Sequence, residues 1–167
     1  MVAELIKIKD LQPSQLYISK EKLDAVMSWL DPNDFTNFEP VPIKLLDGEI
    51  IITDGHTRLV AASLLGLETV PLMWDEDELN WDMYRACVKE CKEQGLLSPI
   101  DLLKRIVSKE EYDIKWNKWC DNMHAKVLGE RAAFLPRDTN LIKFDNTIAF
   151  IKLNKVYCFS FLFSNNP

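Results

Sequence analysis

The chain has 167 residues, of which 47% are hydrophobic and 28% are charged, a balance typical of one water-soluble folded domain. No apolar run reaches the roughly 18–20 residues that a membrane-spanning helix needs, and the N-terminal MVAELIKIKD lacks the apolar centre of a secretory signal, so we expect a cytoplasmic protein without a membrane partner. Residues 1–124 carry 14 basic and 23 acidic side chains, and this acidic balance disfavours DNA as the main partner.

Residues 1–79 predict a small mixed sheet with packed helices, the core of an α+β fold. The alternation in ELIKIK (4–9) predicts a strand, and Pro13 breaks the loop at 11–17. Ser19 caps a helix that carries an apolar stripe from Leu23 to Leu30. The remaining elements are a hairpin about Asp47-Gly48 from 41–46 and 49–53, a helix over 57–65 that ends at Gly66, and a strand over 69–74.

Residues 80–124 predict a helical extension, and residues 125–167 predict a strand-like tail. Helices are expected over 80–95, with an Asn80 cap, over 98–107, with Ser98 and Pro99 at its start, and over 108–124, with a Ser108–Glu111 capping box. The aromatic residues of the last helix share one face, which favours a core position over a ligand platform. A loop at 134–140 precedes strand-like text at 148–163, with Asn154-Lys155 as a possible hairpin turn.

The four cysteines, Cys87, Cys91, Cys120 and Cys158, form no CxxC pair. Cys87 and Cys91 are four residues apart in a helical pattern and so share one face. A zinc site needs four ligands, and the chain has only two histidines. Buried thiols therefore explain these residues better than a metal site does.

The segment ITDGHTR (52–58) carries the candidate chemistry. A strand that ends in Asp-Gly and enters a helix leaves unpaired N–H groups pointing one way, and the helix dipole adds positive potential, so the pattern predicts an anion site. Gly55 lets the backbone approach a ligand, Thr57 offers a hydroxyl, and Arg58 can hold a phosphate through two hydrogen bonds. The segment is neither a P-loop nor a dinucleotide fingerprint.

Asp54 and His56 are the candidate catalytic residues. His56 has two ring nitrogens that can donate to a phosphate or transfer a proton. A carboxylate beside a phosphate is repulsive unless it binds a cation, so Asp54 is predicted to hold Mg²⁺ or to accept a substrate proton. The same residues also fit a plain turn, with Thr57 as an N-cap and Arg58 as a surface residue, and both interpretations stay open at this point.

The order of elements over residues 4–74 resembles the ParB/sulfiredoxin superfamily. The segments that carry the resemblance are IKIKDLQPSQLYIS, KLDAVMSWL and EPVPIKLLDGEIIITDGHTRLVAASLLGLETVPLMW. The resemblance implies that Gly55, His56, Thr57 and Arg58 bind the phosphates of a nucleotide, and that the following small-residue helix packs on the sheet.

Departures from the family pattern separate its branches. Sulfiredoxins have a catalytic Cys after the loop glycine, where this chain has His56, so sulfinic acid reductase activity is not expected. Partition proteins usually read Gly-Glu-Arg-Arg, which is absent here. The loop is similar to the DGHHR-like loop of free serine kinases, with Thr57 replacing the second histidine. Those kinases use a Glu in the N-terminal loop; residues 13–19 contain no acid, and Glu21 and Glu39 are the open substitutes.

The function expected from this resemblance is binding of a nucleotide (ATP, ADP or CTP) with Mg²⁺ at Asp54, with nucleotide hydrolysis or phosphoryl transfer to a small-molecule acceptor. One alternative is a DNA-associated module of the chromosome-partitioning or transcription-regulatory type, in which the loop acts as a switch. Another is a non-catalytic interaction domain, or a homodimer, that docks through the apolar tail at 156–163.

Overall fold

The computed structural model describes residues 5–34, 37–134, 140–144, 147–152 and 155–160. The chain divides into two compact units, Met1–Val127 and Leu128–Pro167. Residues 80–124, which the sequence predicts as a helical extension, therefore lie in the same unit as the predicted core. None of the described helices is both long enough and apolar enough to cross a lipid bilayer.

The first unit has an α+β architecture, as the sequence predicts. Its strands are β1 (Leu5–Lys7), β2 (Ile18–Ser19), β3 (Val41–Leu46), β4 (Glu49–Ile52), β5 (Thr69–Trp74) and β6 (Ile106–Val107). Its helices are α1 (Lys20–Met27), α2 (His56–Leu64), α3 (Trp81–Glu93), α4 (Lys109–Tyr112) and α5 (Lys118–Phe134), the last of which runs on into the second unit. The main sheet has the order β1-β5-β3-β4 and is mixed, because β3 and β5 are parallel while the other two pairs are antiparallel.

The predicted hairpin is confirmed in its register and its turn. Leu46 pairs with Glu49, so Asp47 and Gly48 form a two-residue connection between β3 and β4. Both have positive φ, +51° and +89°, which is the geometry of the turn that best matches the twist of paired strands. The turn fixes the register of β4 and therefore the position at which the DGHTR segment begins.

Helix α2 packs into the core through its small residues. Leu59, Val60, Ala61 and Ala62 are completely buried, and α1 packs against α2. Two adjacent alanines leave room for close approach, and each buried Leu or Val contributes about 1.5–3 kcal/mol relative to exposure. The start of α2 is thus anchored by a well-packed helix.

Residues 80–127 cover the core with helices. The Asn80 cap is confirmed, since its side chain accepts from the Met83 N–H. Val88 of α3 lies in a cluster with Leu46 and Ile51, and Met83 and Cys87 lie in a second cluster with Val127. Cys87, Cys91 and Cys120 are free thiols, and the Cys158 side chain lies outside the described part of the chain.

Two predicted helices differ from expectation. Over 98–107 the structure has a 3-10 helix, Pro99–Arg105, followed by β6, which pairs in parallel with β2. The capping box predicted at Ser108 forms only in part: its hydroxyl accepts from the Glu111 N–H, but the Glu111 carboxylate binds Lys115 instead. A complete capping box forms at Ser98 and Asp101.

The second unit contains an antiparallel sheet of β7 (Asn140–Phe144), β8 (Thr147–Lys152) and β9 (Lys155–Ser160), in that order. β8 and β9 confirm the strand prediction for the described part of 148–163, whereas β7 was not predicted. The predicted loop at 134–140 and turn at Asn154-Lys155 fall largely outside the described residues, as do the last residues of the 148–163 segment.

Candidate functional site

The DGHTR segment (54–58) follows β4 and contains the first residues of α2. Gly55 is the N-cap of α2 and has a φ of +83°, a left-handed conformation that favours glycine. Because the N-cap residue is glycine, it offers no side-chain oxygen to cap this helix start. The first-turn N–H groups have no partner inside the helix by construction, so this end of α2 presents donors and positive potential together. Thr57 is a helical residue and not the N-cap.

The guanidinium of Arg58 lies over Gly55. Arg58 Nη1 donates to the Glu39 carbonyl oxygen at 2.7 Å and lies 3.4 Å from Glu39 Oε2. A Cβ on Gly55 would come within 3.0 Å of Arg58 Nη2. The Arg58 side chain is only 14% exposed, so it is held in place rather than extended into solvent. Arg58 is therefore not the free surface residue of the plain-turn interpretation.

Two exposed carboxylates accompany Arg58. Glu39 Oε2 and Asp54 Oδ2 lie 3.4 Å and 3.9 Å from the guanidinium, and their side chains are 87% and 83% exposed. Exposed carboxylates are free to rotate away from an incoming anion or towards a cation. No group of three or more metal-ligating side chains occurs among the described residues, and Mg²⁺ commonly takes only one or two carboxylates plus phosphate oxygens. The role of Asp54 with Mg²⁺ stays a prediction.

His56 is buried, and its ring forms a hydrogen bond inside the protein. Its Nε2 accepts from the Ser14 backbone N–H at 3.0 Å, and the Ser14 hydroxyl donates to the Ile52 carbonyl at 2.6 Å. Because a backbone N–H can only donate, Nε2 is unprotonated and the ring proton sits on Nδ1. Burial lowers the pKa of His56 to about 4, against a smaller opposing effect of Asp54, so the ring is neutral at pH 7. His56 ties the N-terminal loop to the start of α2.

The acids left open as catalytic bases occupy different places. Glu21 pairs with Lys109 at 3.6 Å, whereas Glu39 lies beside Arg58. Only Glu39 therefore joins the DGHTR segment.

Two hydrogen bonds to Thr53, which the sequence did not predict, hold the chain just after β4. The Thr53 hydroxyl donates to Asp75 Oδ2 at 2.6 Å, and the Tyr84 hydroxyl donates to the Thr53 carbonyl at 3.1 Å. Burial, together with the nearby Asp75, raises the pKa of Tyr84, so the phenol stays protonated and keeps donating. The sequence marks this region with the acidic run at 75–78, but that run does not indicate that Asp75 contacts Thr53.

Comparison with known proteins adds little to this geometry. No family model matches the sequence, and no curated protein matches it. Among solved structures, the chain is similar to protein Atu1540 from Agrobacterium tumefaciens, at 21% identity and a TM-score of 0.37. That match covers 57% of this chain and 50% of the other, so the aligned part spans about half the length of the solved chain. So low a TM-score supports no statement about function, and the resemblance to the ParB/sulfiredoxin superfamily stays a prediction.

Proposed function

We propose that the start of α2 binds a phosphate group of a nucleotide, as the resemblance to the ParB/sulfiredoxin superfamily implies. The observation that carries the proposal is the pairing of an uncapped helix start at Gly55 with the guanidinium of Arg58 directly over it. First-turn N–H groups and a bidentate arginine are the groups that proteins use for phosphate oxygens. The small-residue packing of α2 keeps both in fixed positions.

The two carboxylates beside Arg58, those of Glu39 and Asp54, affect how a phosphate binds. A phosphate that approaches the guanidinium displaces the Glu39 side chain, while the bond from Nη1 to the Glu39 carbonyl continues to orient Arg58. Asp54 then either binds Mg²⁺ together with the phosphate or accepts a proton from a phosphate acceptor. Phosphoryl transfer depends mainly on positioning and charge stabilisation, which these residues supply.

His56 takes a different role in this proposal from the one that its place in the loop first indicates. The Nε2 lone pair already accepts from Ser14, so it is not available as a base. We therefore assign proton transfer to Asp54 or Glu39, and we assign to His56 the positioning of α2 against the N-terminal loop.

A nucleotide thermal-shift screen tests the proposal. ADP, ATP and CTP are compared with and without Mg²⁺ on the wild type, on Arg58→Ala and on Arg85→Ala. Arg85 is a matched control because it is also paired with a carboxylate, Asp47 at 3.0 Å, but it lies on α3 with its side chain 49% exposed. A ligand at about 100 times its Kd stabilises the native state by about 2.7 kcal/mol.

We expect at least one nucleotide to raise the Tm of the wild type and of Arg85→Ala, and to leave Arg58→Ala unshifted. The proposal fails if no nucleotide raises the Tm at millimolar concentration. It also fails if Arg58→Ala keeps the full shift.

A further inference from the structure

A second feature of the first unit is a cavity of about 210 Å³ behind the start of α2. It is bounded by the N-terminal loop at Ser14 and Gln15, by α3, and by the helical segment that leads into α5. Three sulfur-bearing side chains line it, those of Met83, Cys87 and Cys120. Four rings line it as well, those of His56, Tyr84, Trp116 and His124. Sulfur atoms make favourable contacts with aromatic rings, so this lining suits a flat ring.

The lining carries no formal charge. Of the described residues that bound the cavity, none is Asp, Glu, Lys or Arg. Burial raises the pKa of Cys120 to about 12 and lowers that of His56 to about 4, so both are neutral at pH 7. Burial also lowers the pKa of His124, which favours its neutral form. A charged ligand would lose part of its hydration here, and none of the side chains that line the cavity would offer it an opposite charge.

Two of the polar side chains that line the cavity, those of His56 and Tyr84, can offer one donor and one acceptor to a ligand. Because Nε2 of His56 accepts from Ser14, Nδ1–H is the donor that the ring can offer. The Tyr84 hydroxyl donates its hydrogen bond to the Thr53 carbonyl, and its oxygen can still accept one from a ligand. A few fixed polar groups in a mainly apolar and aromatic lining are typical of small-molecule sites.

The helix wall of the cavity contains a π-helical segment, Asp113–Asn117, between α4 and α5. Such segments are rare and occur frequently at functional sites. This one includes Trp116, whose ring stacks on Trp119 with centroids 5.4 Å apart. The irregular turn and the stacked pair fix the ring that faces the cavity.

We propose that this cavity binds a small uncharged molecule that has an aromatic ring and one polar group. A cavity of about 150 Å³ in another protein binds benzene, so about 210 Å³ accommodates roughly eight or nine non-hydrogen atoms. The proposal goes beyond the phosphate site, since neither Gly55 nor Arg58 lines the cavity.

Three probes of equal size and different charge test it: benzamide, benzoate and benzamidinium. Each is titrated into the full chain, and binding is followed by isothermal titration and by tryptophan fluorescence. We expect benzamide to bind with a millimolar Kd, and the two ions to bind about tenfold more weakly or worse, because each would lose hydration against a lining that carries no counter-charge.

A pair of variants locates the binding. Cys120→Phe places a ring into the cavity and should abolish benzamide binding, whereas Asn122→Phe, an exposed position on the same helix that does not line the cavity, should leave it unchanged. The proposal is overturned if benzamide does not bind at about 10 mM, if the three probes bind equally, or if a folded Cys120→Phe still binds benzamide. Should Cys120→Phe not fold, the comparison of the three probes on the wild type decides.

Discussion

Replacing Gly55 by alanine should test the contact between Gly55 and Arg58 on which the proposed phosphate site depends. Gly55 and Gly95 both have positive φ, +83° and +73°, so alanine is strained at either position. They differ in their surroundings: a Cβ on Gly55 meets the Arg58 guanidinium at 3.0 Å, while a Cβ on Gly95 meets nothing within 4 Å. Gly95→Ala therefore measures the backbone cost alone, and Gly55→Ala adds the displacement of Arg58.

The two costs can be worked out separately. A non-glycine residue in a left-handed conformation costs about 1–2 kcal/mol. Displacing a partly exposed guanidinium from its bond to the Glu39 carbonyl costs about 1 kcal/mol more. We expect the free energy of unfolding to fall by about 1–2 kcal/mol in Gly95→Ala and by about 2–3 kcal/mol in Gly55→Ala. Gly55→Ala should also lose nucleotide binding, because Arg58 no longer lies over the helix start.

Urea denaturation followed by tryptophan fluorescence gives these free energies. The sharper measurement repeats both substitutions in the Arg58→Ala background, where the extra cost of Gly55→Ala should disappear and the two glycine substitutions should become equal. If Gly55→Ala costs more than Gly95→Ala by the same amount with and without Arg58, the guanidinium is not the group that Gly55 accommodates, and the argument for the site is refuted.

Three further outcomes are expected. The pKa of His56 falls from 6.5 to about 4 on folding, so only the unfolded chain takes up this proton between those values; the free energy of unfolding should be highest above pH 6.5 and fall by about 3 kcal/mol towards pH 4. His124, whose pKa is also lowered by burial, adds to this loss, and urea denaturation of His56→Gln should show a flatter pH dependence. Tyr84→Phe should lower the free energy of unfolding by about 1 kcal/mol in urea, since it removes the donor to Thr53. Asp54→Asn should strengthen binding of inorganic phosphate about two- to fivefold in titrations without Mg²⁺ and weaken Mg²⁺-dependent nucleotide binding; the opposite result would remove Asp54 from the site.

Much of the fold follows from local signals in the sequence. Asp47-Gly48 predicts its turn because few other pairs tolerate two positive φ angles, and Ser19 and Asn80 predict helix starts because their side chains satisfy an N–H that the helix cannot. These features depend on neighbours within four residues and can be found without the rest of the molecule.

Features that depend on distant partners were missed. Ile106 and Val107 extend a helical pattern by sequence, yet they leave the helix to pair with Ile18 and Ser19, some 90 residues away. The cavity wall had a visible signal, since Met83, Tyr84 and Cys87 share a helical face, as do Trp116 and Cys120. What the sequence lacks is the information that these two faces meet.

The DGHTR segment shows why a row of reactive residues need not form one site. Successive helical residues are rotated by about 100°, so His56 and Arg58, two positions apart, point in nearly opposite directions once α2 begins at Gly55. The His56 ring points inward, where it accepts from the Ser14 N–H and lines the cavity. The Arg58 guanidinium points outward, where it donates to the Glu39 carbonyl near the helix start. The two proposals therefore place a nucleotide phosphate and an uncharged ring compound on two sides of the same helical turn. Gly55 determines which residues face each side, because its left-handed conformation fixes where the turn starts.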